Sequence, residues 1–374
     1  MSDAKQQNAR TKPLNPLFSW FIMGVVALIA ADSAGFHVPG EAVFGFVLGL
    51  PVTILAHEAG HAFAAWLFRF RLVGFGVWPL YFWRVSKGWR ADIWRPGTFP
   101  GAGGFVRPLP IGRDNLRKRL IYMIAAGPAT SLVLGLVAAL VALSAGNLKW
   151  WQQGLLIGTA FWCLSSTWTS LRFKPNPGLV NDGTHLRWLL GSTKEGERLA
   201  AIYGLAAESF EGLRPRDWDA DLVRRVSGNL DATSAARTGQ AIRYNWLHDT
   251  RQLDEAAKVL EWLEAQESSK GAAMIWQMER VWFDARHRRN LADARACFDR
   301  QGDLGKSPAV RCAYFKAKAA VHLLERDWDN AESAVAEVLR ACDDVDELGA
   351  AAAIRAEVEQ VRLEVRLART SGNT

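Results

Sequence analysis

The sequence predicts a mainly α-helical protein: a polytopic membrane helix bundle with a membrane-surface β-hairpin region, followed by a soluble α-helical domain of repeat-like units. Three observations favour this fold class. Long apolar runs fill the first half of the 374-residue chain, whereas charged, amphipathic sequence follows residue 192. Strand-like alternation interrupts the apolar runs over residues 70–113. A short pattern then recurs in the second half at nearly constant spacing.

Four apolar runs predict membrane-spanning helices. They cover residues 17–31, 42–68, 120–146 and 151–171. Each run approaches the length of about 20 residues that a helix needs to cross the hydrocarbon core of a bilayer. The first run follows basic residues, as in a signal peptide, but no clean small-x-small cleavage site precedes Asp32. We expect an N-terminal tail over 1–16, a membrane domain over 17–192 and a helical domain over 193–374.

Basic residues indicate the orientation of these spans. The formal net charge is +7, a balance that can also attract nucleic acid. The basic residues are concentrated before the first run and between the second and third runs, whereas the loop around 33–41 has none. Because basic loops stay on the cytoplasmic side, we expect both termini in the cytoplasm and no nucleic-acid partner.

The cysteines lack metal-site spacing and are interpreted as reduced thiols: Cys163, Cys297, Cys312 and Cys342.

Aromatic residues, glycines and arginines are interspersed between residues 70 and 113. Short stretches such as 75–78 and 89–94 have the composition of strands and are separated by turn residues. Aromatic rings and cationic side chains both favour the boundary between lipid headgroups and water. We therefore expect a hairpin at the membrane surface; the alternative is an ordinary cytoplasmic loop with some sheet.

Three segments of the C-terminal part share one pattern, an arginine followed five residues later by an alanine. They cover residues 251–256, 289–294 and 326–331, so the alanines are 38 and 37 residues apart. A recurring helix-turn-helix unit explains this spacing and resembles the tetratricopeptide repeat, whose usual period is about 34 residues. Such a domain, over about 230–369, would bind a cytoplasmic protein partner; a plain helical bundle is the alternative.

The residues His57-Glu58-Ala59-Gly60-His61 form an HExxH motif inside the second apolar run. On a helix the two histidines lie one turn apart on the same face, so both imidazoles can reach one ion. Neutral imidazole is a good zinc ligand, and Glu58 can take a proton from a zinc-activated water. Two histidines and a carboxylate are costly in a membrane span unless they are satisfied, and a metal ion satisfies them. The motif therefore predicts a Zn2+ site, although so short a motif also occurs by chance.

A catalytic zinc site needs a third protein ligand, here from another segment. Asp182 is the best candidate, because it lies in a Pro- and Gly-rich break, residues 174–183, that follows the fourth apolar run. The alternative for Asp182 is the N-cap of a helix that begins near Thr184. His185 is near enough in sequence to be a rival ligand or a proton donor, or it is an ordinary residue of a helix surface.

These motifs resemble those of the site-2 protease family of intramembrane zinc metalloproteases. The resemblance rests on His57-Glu58-x-x-His61, Gly127-Pro128 and Asn181-Asp182-Gly183. Many members carry an Asn shortly after the Gly-Pro pair, where this chain has Ala129-Thr130-Ser131, and the acidic motif is more commonly Leu-Asp-Gly. The resemblance implies that His57, His61 and Asp182 bind zinc and that Glu58 is the general base. It also implies transmembrane protein substrates, a lipid bilayer as surroundings, and a strand region that guides the substrate.

The main hypothesis is therefore a zinc metalloendopeptidase that hydrolyses peptide bonds of membrane-embedded proteins. The compact chain and the resemblance favour a bacterial cytoplasmic membrane, with an organelle membrane as the alternative. A second hypothesis is a noncatalytic membrane scaffold that docks cytoplasmic partners through its helical domain; the intact Glu58 argues against it. A metal transporter is a third, but His57, His61 and Asp182 are too few for an ion path.

Overall fold

The computed structural model describes residues 26, 39–85, 88–93, 103–172, 180–191, 193–228, 234–266, 270–300 and 307–371. Within these residues the protein is mainly α-helical and contains one small antiparallel sheet, as the sequence predicts. The first predicted span, residues 17–31, lies outside the described residues apart from Val26, and so do residues 174–179 of the Pro- and Gly-rich break.

Three long helices pack side by side: α1 (Gly40–Leu67), α2 (Leu116–Ser144) and α3 (Trp150–Leu171). Among the described helices, α1 and α2 are long and apolar enough to cross a membrane. The predicted fourth span corresponds to α3, which has 22 residues. Its Gln, Ser and Thr side chains make α3 less apolar than α1 and α2, and it does not meet the same criterion for a membrane span. The count of four spans therefore stays a prediction.

Glycines allow α1 and α3 to approach closely. Gly45 and Gly49 of α1 lie against the backbone of α3, and Gly154 and Gly158 of α3 lie against the backbone of α1; the two glycines of each helix are one turn apart. A Cβ atom on Gly49 would lie 2.5 Å from the backbone nitrogen of Thr159, too close for any side chain. Such small-xxx-small patterns let helices pack where lipid removes the hydrophobic driving force between them. The contact fixes α1, which carries the HExxH motif, against its neighbour.

A four-stranded antiparallel sheet follows α1 and covers the region that the sequence predicts as strand-rich. Its strands are β1 (Phe70–Val77), β2 (Leu80–Val85), β3 (Gly88–Ile93) and β4 (Gly104–Pro110), in the order β3-β2-β1-β4. On the outer hairpin, Leu80, Phe82 and Ile93 share one exposed apolar face, because Leu80 pairs directly with Ile93. Strand β4 lies at the other edge, paired with β1. The location of the sheet at a membrane surface stays a prediction.

A series of helices forms the rest of the described chain. They are α4 (Asp182–Leu190), α5 (Lys194–Glu211), α6 (Ala220–Val226), α7 (Ser234–Asp249), α8 (Leu253–Gln266), α9 (Lys270–Phe283), α10 (Leu291–Asp299), α11 (Pro308–Leu324), α12 (Trp328–Cys342) and α13 (Leu348–Ser371). The three segments that share a sequence pattern also share a turn: Arg251, Arg289 and Arg326 have φ angles of 64°, 55° and 61°. Since a positive φ is uncommon outside glycine, the turns are equivalent in backbone as well as in sequence. The likeness to tetratricopeptide repeats stays a prediction.

The last helix, α13, packs back against earlier helices of this series. Its Glu357 contacts His248 of α7 at 2.8 Å and Lys316 of α11 at 3.1 Å. Its Glu364 pairs at 2.6 Å with Arg286, which lies in a short π-helical segment after α9. Helix α13 therefore links α7, the segment after α9, and α11.

Two contacts hold the helical series against the sheet. Phe210, at the end of α5, is buried against β1 and β4. The acidic loop between α12 and α13 pairs with arginines of the strands: Asp344 with Arg90 at 2.6 Å, and Glu347 with Arg107 at 3.2 Å. The sheet is thus packed between the long apolar helices and the C-terminal part. The domain boundary at residue 192 stays a prediction.

Candidate metal centre

The two histidines of the HExxH motif lie together on one face of α1. His57 and His61 are 9% and 7% exposed, and their Nε2 atoms are 3.3 Å apart. The rings meet edge to face, with 4.9 Å between their centroids. The helical spacing of four residues therefore brings both imidazoles to one point, as the sequence predicts.

Asp182 joins them from a distant part of the chain. Its Oδ2 atom lies 3.2 Å from Nε2 of His57, and its Oδ1 atom lies 3.7 Å from Nε2 of His61. The N-cap of α4 is Asn181, whose side chain accepts a hydrogen bond from the backbone of Thr184. The alternative role of Asp182 as the N-cap is therefore wrong, and its carboxylate is directed to the histidines.

Asn181 also places the start of α4 beside α3. Its side-chain amide donates to the carbonyl oxygen of Thr169 at 3.0 Å and to that of Arg172 at 2.6 Å. Gly183 lies so close to the backbone of Leu171 that a Cβ atom would collide with it. Each residue of the Asn-Asp-Gly sequence therefore has its own function: Asn181 caps α4, Asp182 directs a carboxylate to the histidines, and Gly183 lets α4 lie against the backbone of α3.

Helix α2 fixes the orientation of both histidine rings. Nδ1 of His57 is 3.0 Å from Oγ of Ser131, and Nδ1 of His61 donates to the carbonyl oxygen of Met123 at 2.9 Å. Both Nε2 atoms therefore point toward Asp182. Gly127 lies directly beside the ring of His61, and a Cβ atom there would collide with Nε2. Histidines that bind metals commonly use the second ring nitrogen in this way.

The donor set fits a zinc ion. Within the described residues, His57, His61 and Asp182 form a group whose ligand atoms lie within 4.8 Å of one another. Two imidazole nitrogens and one carboxylate oxygen are the ligands of many catalytic zinc sites, which leave a fourth position open. His185 lies outside this group; its ring is 5.7 Å from that of Trp188 on the same helix.

Glu58 lies next to the edge strand. Its side chain is buried, and a Cβ atom on Gly104 would lie 2.5 Å from Cγ of Glu58. Strand β4 therefore begins immediately beside the carboxylate, and glycine is the residue that leaves room for it.

Sequence reasoning assigned no role at the site to three residues of this surrounding structure: Gly104, Met123 and Ser131, the last of which was noted only in the segment after the Gly-Pro pair. None carries a local signal, because each acts on a residue more than 40 positions away. Gly127 was noted only as part of the Gly-Pro pair, and its close contact with His61 explains the glycine.

Comparison with known families agrees with these features. The family model of peptidase family M50 matches residues 45–351, which is most of the chain. The protein therefore belongs to peptidase family M50, and the predicted resemblance to site-2 proteases is confirmed. Membership makes the protein a metallopeptidase, a class of hydrolase, and together with the two apolar helices indicates a membrane protein. Comparisons with curated proteins and with solved structures gave no match.

Proposed function

We propose that this protein is an intramembrane zinc metalloendopeptidase that hydrolyses peptide bonds of membrane-embedded proteins. One observation carries the proposal: two buried imidazole nitrogens of α1 and the carboxylate of Asp182 converge beside a buried glutamate. In this proposal His57, His61 and Asp182 hold the zinc ion, and Glu58 is the general base. Family membership supports the reaction class, and the donor set supports the metal.

The position of Glu58 supports its proposed role in proton transfer. It follows His57 directly in α1 and faces the start of β4. A bound zinc ion supplies Lewis acidity, which makes water acidic and polarises a carbonyl group. The carboxylate of Glu58 accepts the proton of the attacking water and then delivers it to the nitrogen of the departing amine. Burial of Glu58 on α1 beside β4 limits the access of bulk water to that proton.

The sheet is suited to receive an extended substrate segment. Within the described residues, β4 is paired on one side with β1, and it begins beside Glu58. A peptide that adds to an edge strand gains backbone hydrogen bonds without a sequence requirement. We propose that a substrate helix unwinds here, while the exposed apolar face of β2 and β3 rests on the membrane surface.

The proposed membrane topology places the metal centre and the helical series relative to the bilayer. We propose a multi-pass protein whose four spans are the apolar run predicted over residues 17–31 and the helices α1, α2 and α3. An even number of spans leaves both termini cytoplasmic, in a bacterial cytoplasmic membrane. The distribution of basic residues supports the orientation. The helical series would then lie in the cytoplasm, where its tetratricopeptide-like turns, marked by Arg251, Arg289 and Arg326, support a role in binding a protein partner.

Zinc content of the detergent-purified full chain tests the proposal. We expect about one zinc ion per chain in the wild type, and loss of zinc in His57→Ala and Asp182→Ala, because each variant removes one of three ligands. His185→Ala is the matched control, since it removes the neighbouring histidine that lies outside the ligand group. A folded wild type without zinc would overturn the proposal. Loss of zinc only in His185→Ala would overturn the ligand assignment.

A further inference from the structure

We propose that Ser131 is a positioning residue that orients His57 for metal binding. The inference rests on the proposed function, because it assigns a role toward the proposed zinc ion. Ser131 lies in α2, is fully buried, and places Oγ 3.0 Å from Nδ1 of His57. It is 74 positions away from His57 in the sequence.

The chemistry of imidazole explains why this contact matters. A neutral imidazole carries one proton, and a metal takes the lone pair of the other nitrogen. When a metal ion takes the lone pair of Nε2, which faces Asp182 at 3.2 Å, the proton of His57 belongs on Nδ1, and the Ser131 hydroxyl oxygen can accept it. The hydrogen bond therefore fixes the rotation of the ring, and it satisfies the Nδ1 proton of the tautomer that binds the metal.

The two histidines differ in how their orientation is secured. His61 donates to the backbone carbonyl of Met123 at 2.9 Å, an acceptor that is present whichever side chain occupies that position. In the described part of the chain, Nδ1 of His57 instead has a side-chain partner, the hydroxyl group of Ser131. A substitution of the partner residue can therefore remove the hydrogen bond that orients His57, but not the one that orients His61.

The packing of α1 on α2 explains why the positioning residue is small. A Cβ atom on Gly60 of α1 would lie 2.8 Å from the carbonyl oxygen of Ala126, so the two backbones are in contact near the histidines. Ser131 lies at this contact with none of its surface exposed. A longer side chain would overpack the interface, whereas a hydroxyl reaches His57 directly.

Metal affinity of two variants separates the hydrogen bond from packing. Ser131→Ala removes the acceptor and leaves a small cavity, whereas Ser131→Cys fills the same space with a weak acceptor. Loss of an outer-shell partner lowers metal affinity about 10- to 100-fold. We expect both variants to lose zinc affinity in this range, measured by competition with a chelator on the full chain in detergent. A packing role would instead leave Ser131→Cys close to wild type, and this result would overturn the inference.

The visible spectrum of the cobalt-substituted protein gives a readout beyond affinity. We expect the ligand-field bands of bound Co2+ to shift in both Ser131 variants, because the geometry of one ligand changes. Thr130→Ala is the matched control: it removes a hydroxyl one residue away, at the contact with Gly60, and should leave spectrum and affinity unchanged. Equal affinities and spectra for wild type and Ser131→Ala would overturn the inference alone. A folded wild type that binds neither metal would overturn both this inference and the proposed function.

Discussion

Two glycines determine how closely the backbone approaches the residues of the site. Gly127 of α2 touches the ring of His61, and Gly104 of β4 touches the side chain of Glu58. Neither has a positive φ angle, so the reason for glycine at each position is space and not backbone conformation. The ring of His61 and the side chain of Glu58 each occupy the volume that a Cβ atom would need.

Substitution of Gly127 tests this reading. Gly127→Ala places a methyl group in the volume of the His61 ring, so the ring must turn away from Asp182. We expect the zinc affinity to fall at least about 10-fold, as when the support of a ligand is lost. Competition with a chelator measures the change. Gly146→Ala, where the added Cβ atom has open space, is the control, and equal affinity in the two variants would contradict the reading.

The sequence could predict the residues that share a local pattern. His57 and His61 follow from helical spacing, and Asp182 follows from its place after an apolar run. Ser131 could not be predicted to touch His57, because its contact depends on how α1 packs against α2. The same holds for Gly104, whose contact with Glu58 depends on the register of the sheet.

At the scale of elements, a buried network of charges joins three helices of the C-terminal part. Lys316 is 3% exposed, and its Nζ atom contacts Glu279 at 2.7 Å and Glu357 at 3.1 Å. Burial alone would lower the pKa of Lys316, but the attraction of the two carboxylates outweighs it and holds the pKa above its usual value. Removing one partner of such a network leaves an unpaired buried charge, which is strongly destabilising. The network therefore makes the packing of α9, α11 and α13 specific.

His287 gives this region a pH dependence. Burial, and then the repulsion of His248 at an Nε2–Nε2 distance of 3.0 Å, lower the pKa of His287 from 6.5 to about 4. Arg251 and Arg286 lower the pKa further, and Glu357 opposes them. Between these pKa values the unfolded chain binds a proton that the folded chain does not bind. The free energy of unfolding therefore decreases as the pH falls from about 6.5 to about 4.

Hydrogen exchange of the full chain tests this prediction locally. Between pH 7 and pH 5, after correction for intrinsic rates, we expect the opening of α7 and α11 to increase several-fold in the wild type. His287→Gln keeps a polar side chain that does not titrate, so the increase should be much smaller in this variant. His322→Gln, on α11, is the control for replacing a histidine by glutamine and should retain the pH-dependent increase. An equal increase in His287→Gln would show that another group is responsible.

The elements themselves were predictable to different degrees. Alternation of residue types predicted a strand region over 70–113, and the sheet is confirmed there. The pairing of β4 with β1 was not predictable, because the two strands are separated by a whole hairpin. The repeated arginine predicted equivalent turns, but the return of α13 onto α7 depends on contacts more than 100 positions apart.

At the scale of the whole molecule, the helical series is linked to the sheet that lies beside Glu58. Arg107 of β4 contacts both Asp346 and Glu347 in the loop between α12 and α13. The family match extends to residue 351 and so includes this loop. The sequence indicated a membrane part and a helical part, but not that an acidic loop of one contacts a strand of the other. We therefore expect the position of the helical series and the stability of strand β4 to depend on each other.

Charge reversal measures this coupling. Arg107→Glu places a carboxylate against Asp346 and Glu347, so we expect faster hydrogen exchange in β4 and slower cleavage of a model membrane substrate. The double variant Arg107→Glu with Asp346→Arg restores a pair of opposite charges. It should recover much of the protection of β4 from exchange and much of the cleavage rate. Because these side chains are partly exposed, a coupling free energy of about 0.2–1 kcal/mol is expected. Strictly additive effects of the two substitutions would contradict the coupling.

Cleavage of a model transmembrane substrate by the wild type and by Glu58→Gln, with zinc content measured in the same samples, tests the central claim most directly. Glu58→Gln keeps the three proposed ligands and nearly the same side-chain volume, but its amide cannot accept and deliver the proton. We expect about one zinc ion per chain in both proteins, cleavage by the wild type, and a loss of at least about 100-fold in the variant. Equal cleavage by the two zinc-loaded proteins would contradict the role of Glu58 as the general base.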